Sequence, residues 1–145
     1  MLALACDHGG LELKEAVKAH LSKKGVEFRD FGTNTTDSCD YPIFAQLACD
    51  AVVGGECEKA LLFCGTGIGI SMAANKVKGI RAAVCSDYFS AKMTRMHNNA
   101  NVLCLGGRVL GTGLACELVD VFLATEFEGG RHQTRIDMIH KLENC

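Results

Sequence analysis

The sequence predicts an α/β protein: a three-layer α/β/α sandwich around a five-stranded parallel sheet, followed by a C-terminal helix. Three observations predict it. Five short apolar runs recur along the chain, each of a length suited to a buried strand. Each run ends in glycine or polar residues and is followed by apolar residues at helical spacing. The alternation is regular, as in βαβ units whose parallel strands carry helices on both faces. At 145 residues the chain has the size of one domain, spanning residues 1–145. A chain of that length buries roughly two-thirds of its unfolded surface and needs no staples.

Residues 2–6 form the first strand, with Asp7-His8-Gly9-Gly10 at its tip. Leu11, Leu13, Ala16, Val17 and Leu21 then mark an amphipathic helix, which Gly25 ends as a cap. Residues 26–31 alternate as a second strand, and residues 32–40 are a polar loop. Pro42, the only proline, suits the first turn of a helix over 43–53, and Gly54-Gly55 stop it. The third strand is 59–63, its helix 71–76. The fourth strand is 80–85 and its helix 87–97; the fifth is 102–105 and its helix 114–122. After the break at Glu128-Gly129-Gly130, residues 131–142 form a charged terminal helix. Met93, Met96 and the other apolar stripes read as core. The helices after strands four and five carry Met93, Met96, Leu114, Leu118, Val121 and Phe122, more than one sheet face needs, which predicts a covered surface and at least a dimer.

The third strand leads into Cys64-Gly65-Thr66-Gly67-Ile68-Gly69-Ile70-Ser71. A strand, a glycine turn and a helix in that order aim backbone N–H groups at whatever sits above the strand end, and such a helix start attracts anions. A thiol at that point favours acid/base or nucleophilic chemistry. Similar loops fail the comparison. A Walker A loop needs Lys-Ser or Lys-Thr after its last glycine, and Ile70-Ser71 stand there. The dinucleotide fingerprint needs a third glycine at Ile70. A cysteine phosphatase loop needs an arginine at that same position. The plain alternative is a tight turn holding a buried cysteine.

Composition excludes several classes. A net charge of −2, scattered basic residues and few aromatic rings give no nucleic-acid surface. No apolar run approaches the roughly 20 residues of a membrane helix. Met1 enters a strand-like run without a basic leader, so no secretory signal is expected. The nine cysteines are odd in number, and Cys6, Cys49, Cys85, Cys104 and Cys116 lie inside apolar runs. With no C-x-x-C and no paired His/Cys spacing for zinc, they read as reduced core fillers in a cytoplasmic protein.

Ligands of open parallel sheets bind beyond the carboxyl ends of the strands. That rule gathers Asp7, His8, residues 64–69, Ser86, Asp87 and Arg108 at one edge. Asp7 also reads as a helix cap. His97 ends an amphipathic helix, where it can simply complement the helix dipole. Arg131 and Arg135, four apart, share a helix face; they are either a solvated face or a bidentate phosphate clamp.

Asp7-His8-Gly9-Gly10, Asp40-Tyr41-Pro42, residues 64–71, Ala73-Ala74-Asn75-Lys76, Arg95-Met96-His97-Asn98 and residues 129–135 together resemble the type B ribose-5-phosphate isomerases, in the same order and over nearly the whole chain. The same superfamily includes galactose-6-phosphate and allose-6-phosphate isomerases. The resemblance implies a Rossmann-like fold and an aldose–ketose isomerase interconverting ribose 5-phosphate and ribulose 5-phosphate in pentose phosphate metabolism. Some relatives use a glutamate as base; the matching position here is Ala73 or Ala74, which leaves Cys64 as the base. The resemblance makes Gly65, Thr66, Gly67, Ile68 and Gly69 the cradle for the enediolate and His97 the acid that opens the ring. Asp7, Tyr41 and Asn98 fall at the sugar, and His8, Arg108, Arg131 and Arg135 at its phosphate. It further implies a homodimer or homotetramer with the site between subunits, and no metal or organic cofactor. Two rivals remain on residues alone. A nucleotide- or flavin-binding module would use Asp30 as its ribose acid. A cysteine hydrolase would pair Cys64 with His97.

Overall fold

The computed structural model describes residues 1–144. Five parallel strands form one sheet: β1 (Leu2–Cys6), β2 (Phe28–Asp30), β3 (Lys59–Cys64), β4 (Ala82–Val84) and β5 (Val102–Gly106), in the order β2-β1-β3-β5-β4. Six helices accompany them: α1 (Leu11–Lys23), α2 (Tyr41–Val53), α3 (Ile68–Ala74), α4 (Tyr88–Asn98), α5 (Thr112–Ala124) and α6 (Arg131–Leu142). The expected α/β/α sandwich with a terminal helix is the observed fold.

Its layers follow from the period of a strand. In β1, β3 and β5, Leu2, Leu4, Cys6, Leu61, Phe63, Leu103 and Leu105 point to one face and join Leu13, Val17, Leu21, Leu118 and Phe122 of α1 and α5. The alternate residues, Ala3, Ala5, Ala60, Leu62, Cys64, Val102 and Cys104, meet Ala45, Ala48, Cys49, Ile70 and Ala74 of α2 and α3. Both faces are covered, so the central strands are apolar throughout rather than alternating. Small residues on the second face let α2 and α3 lie close to the sheet.

The element borders move where local chemistry moves them. β2 and β4 are the sheet edges and keep three residues each, less than the runs 26–31 and 80–85 offer. α3 starts at Ile68, before Ser71, because Gly67 adopts φ 80° and turns the chain straight into its first helical turn. Gly25, at φ 70°, closes α1: its N–H donates to Ser22 O (3.1 Å) and that of Val26 to Leu21 O (3.0 Å), the paired bonds of a Schellman motif. Asp87 is the cap of α4, accepting the Ser90 N–H at 2.8 Å.

Two expectations about apolar side chains need correcting. Met93 and Met96 are half-buried, outside the two cores. Leu118, Val121 and Phe122 are absorbed by the chain's own core, so they do not mark a free surface. Leu114 of that set stays exposed, as do Ile43 and Leu47 on α2, Ile68 and Met72 on α3, Tyr88 and Phe89 at the start of α4, and Met138, Ile139 and Leu142 on α6.

One ion pair ties the edge of the sheet to the loop after it. Lys14, fully buried, reaches Asp30 Oδ1 (2.7 Å), Thr33 O (2.6 Å) and Asn34 Oδ1 (3.4 Å). Burial alone would raise Asp30, but hydrogen bonds from Lys14, Lys18 and the Gly32 N–H outweigh it and hold the carboxyl below its ordinary value. A depressed carboxylate contributes stability above its unfolded value near pH 4, and that contribution is lost as pH falls through the folded value. Asp30→Asn leaves Lys14 buried without its counter-charge and is expected to cost up to roughly 3–5 kcal/mol at neutral pH. Urea titrations should show the gap to wild type closing on acidification below about pH 4; a gap that stays constant would remove Asp30 from the acid response.

Candidate active site

Parallel strands bring five turns to one edge of the sheet: those after Cys6, Asp30, Cys64, Val84 and Gly106. β1 and β3 are neighbours although the chain visits β2 between them, so the chain runs outward from this pair in both directions. The crevice above such a reversal is the usual ligand position of open α/β sheets. Asp7 to Gly10 and Cys64 to Gly69 are the two lips of that crevice, and Gly106 to Arg108 closes its third side.

The three turns lock together through backbone alone. Cys64 O accepts the Gly107 N–H (2.8 Å) and Gly65 O accepts the Arg108 N–H (2.9 Å). Gly10 lies against the carbonyl of Phe63: a Cβ there would sit 2.4 Å from its carbon and 2.5 Å from its oxygen. No backbone can give way at that distance without parting the lips of the crevice.

Cys64 ends β3, buried, and its Sγ accepts the Gly67 N–H at 3.1 Å. An N–H aimed at sulfur stabilises negative charge there. At Cys6 a hydrogen bond from Lys14 acts in the same direction, but burial outweighs it. Burial pushes Cys6 and Cys85 up to about 11, Cys49 up to about 12, and Cys104 well above the ordinary thiol range. Just beyond Cys64, the first-turn amides of α3 have no acceptor in their own helix. Thr66 Oγ1 takes one, the Ile68 N–H, at 3.1 Å.

The neighbours complete a polar rim. Asp7 Oδ1 accepts the N–H groups of Gly9 (2.9 Å) and Gly10 (3.1 Å), so the carboxylate both shapes its own turn and stands at the crevice. His8 Nδ1 accepts the Cys39 N–H at 3.2 Å, which leaves Nε2 to carry the ring proton in the neutral form. The Arg108 guanidinium lies over Gly65, where a Cβ would meet its Nη1 at 3.1 Å. The Tyr41 ring covers Gly69 in the same way, its hydroxyl 2.8 Å from the Cβ position.

The remaining candidates lie elsewhere. His97 and Asn98 end α4, and α4 begins at the carboxyl edge, so its end lies at the amino edge beside the start of β5. Arg81, before β4, fixes that end by donating from Nε to Asn98 O (3.2 Å) and Asn99 O (3.1 Å). The His97 ring stacks on His132 of α6 at 4.4 Å between centroids, which puts the start of α6 at the same edge. Arg131 and Arg135 are exposed on α6 and form no ion pair among the described residues. The length of β5, on the order of 15 Å, separates this group from Cys64 within one chain. The hydrolase pairing of Cys64 with His97 therefore fails in a single chain. So does Asp30 as a ribose acid, since Lys14 and Lys18 occupy both its oxygens.

Sequence spacing shows no metal-ligand cluster, yet the fold assembles a trio from distant positions: His97, Glu128 and His132. The motif around Arg131 includes His132, but nothing in the spacing ties it to His97. Among the described residues no helix is long and apolar enough to cross a membrane.

A thiol, a glycine cradle and the Arg108 guanidinium at the switch point of a parallel sheet define an enzyme of small anionic substrates. Comparison with known proteins narrows the class. The model of the Ribose/Galactose Isomerase family matches residues 2–139. The chain is 49% identical to ribose-5-phosphate isomerase B of Escherichia coli over 142 residues, 98% of this chain and 95% of that one. The solved ribose-5-phosphate isomerase B of Clostridium thermocellum superposes with a TM-score of 0.97 at 50% identity, covering 99% of this chain and 97% of the other. That of Mycoplasma genitalium, solved with bound ribulose-5-phosphate, gives 0.93 at 45% identity, over 99% and 95% of the two chains. The chain belongs to the ribose/galactose isomerase family.

The interlocked turns make a direct prediction. Gly10→Ala is expected to destabilise the protein by about 1–3 kcal/mol, the usual cost of overpacking, measured as a lowered urea midpoint. An unchanged midpoint would mean that the turns yield without cost.

Proposed function

We propose that the chain is an aldose–ketose isomerase interconverting D-ribose 5-phosphate and D-ribulose 5-phosphate, with a working site completed by a second copy of the chain. The observation that carries the reading is the Cys64 thiol at the switch point, with the Gly67 N–H on its sulfur and the Arg108 guanidinium over the adjoining Gly65. The Mycoplasma genitalium relative bound to ribulose-5-phosphate supports the same substrate. A hexose 6-phosphate such as galactose or allose 6-phosphate is the second reading, favoured by a family description that covers galactose isomerases.

The chemistry follows from the groups. His97 of the partner subunit protonates the ring oxygen, the bond from C1 to that oxygen breaks as the anomeric hydroxyl gives its proton to water, and the furanose opens to the aldehyde. The Cys64 thiolate removes the C2 proton, and the electron pair moves onto the C1 oxygen as an enediolate. The amides of Gly65 to Gly69 face that developing charge. The O2 proton passes to the C1 oxygen, Cys64 returns its own proton to C1, and C2 becomes the ketone. Asp7 and Asn98 of the partner subunit hold hydroxyls, and Tyr41 walls the sugar. His8 and Arg108, with Arg131 and Arg135 of the partner subunit, take the phosphate and anchor the substrate away from the reacting carbons. No step calls on a metal or organic cofactor.

Two features support the second copy. The polar groups stand on opposite edges of one chain, too far apart for one sugar phosphate. The exposed apolar side chains Ile68 and Met72 flank the Cys64 loop, where a partner would cover them. The free thiols of all eight described cysteines support a reducing, cytosolic compartment.

Cys64→Ala and His97→Gln are each expected to lose roughly 100-fold or more in turnover of ribose 5-phosphate. Mixed and allowed to exchange, the two variants should recover roughly a quarter of wild-type activity, because half the dimers then hold one intact site of two. Exchange seen by native mass spectrometry without recovery would rule out the composite site. Turnover in heavy water should place deuterium at C1 of the ketose; its absence would count against proton abstraction by Cys64.

A further inference from the structure

Two imidazoles and a carboxylate converge where the end of α4 meets the start of α6. One ligand atom from each of His97, Glu128 and His132 lies within 4.8 Å of the other two, and no other such trio of His, Cys, Asp or Glu occurs among the described residues. His132 Nε2 stands 3.2 Å from Glu128 Oε2. Adjacent ligands of a tetrahedral zinc ion, on bonds of about 2.1 Å, are roughly 3.4 Å apart, so this pair is already at ligand spacing. The two rings are stacked with their planes 14° apart. Bringing their nitrogens to one point takes a tilt about χ2, a soft torsion in histidine.

The trio is held from outside. The Glu128 N–H donates to Met96 O at 3.1 Å, fixing the segment before α6 one residue from His97. Arg95, buried, ties the same segment to α4 by donating from Nε to Thr125 O (3.2 Å) and from Nη1 to Ala100 O (2.7 Å). His132 is buried and His97 half-buried, while Glu128 faces solvent and leaves an entry path. Two imidazoles with one carboxylate form a three-ligand set that leaves a fourth position for water, and imidazole donors select zinc over magnesium or calcium.

We propose that His97, Glu128 and His132 form a zinc-binding site, and that zinc there inhibits isomerisation. The ion takes the lone pair through which His97 would carry its proton, so the inhibitory half rests on the reading of His97 as the ring-opening acid. Zinc in this role is an inhibitor displaced by chelators, not a cofactor.

The test uses the full-length protein under a non-thiol reductant, with zinc titrated against a chromogenic chelator and cobalt as the spectroscopic probe. One ion should bind per chain, and cobalt should show visible d–d bands without a thiolate charge-transfer band. Removing even an outer partner of a metal ligand costs roughly 10–100-fold in affinity, so Glu128→Gln, at an exposed position, should lose at least that much. His132→Asn should weaken binding likewise. Zinc should inhibit the wild type and release it on chelation; Glu128→Gln should keep its metal-free rate and resist zinc. Absence of stoichiometric binding, affinity unchanged in both variants, or a thiolate band from cobalt would each overturn the site. Zinc bound at the trio with turnover unaffected would overturn the inhibitory half. A His97→Gln variant that keeps full metal-free turnover would instead remove the ring-opening reading and leave the zinc site standing.

Discussion

Five parallel strands put every strand-to-helix turn at one edge of the sheet and every helix-to-strand turn at the other. The separation, on the order of 15 Å, cannot be bridged by side chains. It decides what each polar residue can reach. α4 makes the point by itself: Asp87 caps its start beside the Cys64 edge, and His97 ends it at the far edge. A helix of that length is a spacer between two chemistries. Whatever uses Cys64 and His97 on one small molecule must borrow one of them from another chain.

Environment, rather than residue type, separates Cys64 from the other thiols. Cys104 is one strand away on the same face of the sheet, yet it is fully buried and its thiol is held protonated. Cys64 is also buried, but it lies at the end of its strand, where Gly67 turns left-handed and brings its N–H onto the sulfur. The close approach of Gly10 to Phe63 and of Gly107 to Gly9 keeps that turn in place. Glycine here serves geometry more than flexibility, because any side chain would separate the turns that frame the thiol.

Most of the fold was legible because the signals are local. The central strands are continuous apolar runs, and Gly25, Pro42 and Gly54 punctuate the helices as their backbone chemistry dictates. The misread borders share one cause: tertiary context. The edge strands shorten because half their hydrogen-bonding partners are missing, and α3 gains a turn because a glycine loop and a first helical turn look alike in sequence. The carboxyl-edge half of the site was legible through the rule that ligands sit at strand tips. The rule says nothing about helix ends: spacing offered Arg131 and Arg135 as a clamp or a solvated face, and the family resemblance gave His97 and Asn98 their roles. The trio of His97, Glu128 and His132 was hidden altogether, since the pairing of α4 with α6 that assembles it has no counterpart in sequence spacing.

Folding and completeness of the site are separate problems in this chain. Two cores fill both faces of the sheet from one copy, and Leu118, Val121 and Phe122, which sequence alone assigns to a partner, belong to the first of them. The polar constellation is divided all the same. Besides Met138, Ile139 and Leu142 on α6, the apolar side chains that stay exposed include Ile43, Ile68, Met72 and Phe89, on elements that begin at the Cys64 edge. They contribute nothing to the monomer's core, and covering them beside the Cys64 loop would stabilise association at the place where the missing groups are needed. A second copy seated there would bring its polar groups to the edge that lacks them. In the proposed pair, activity would follow the concentration of paired chains, while the fold of each chain would not.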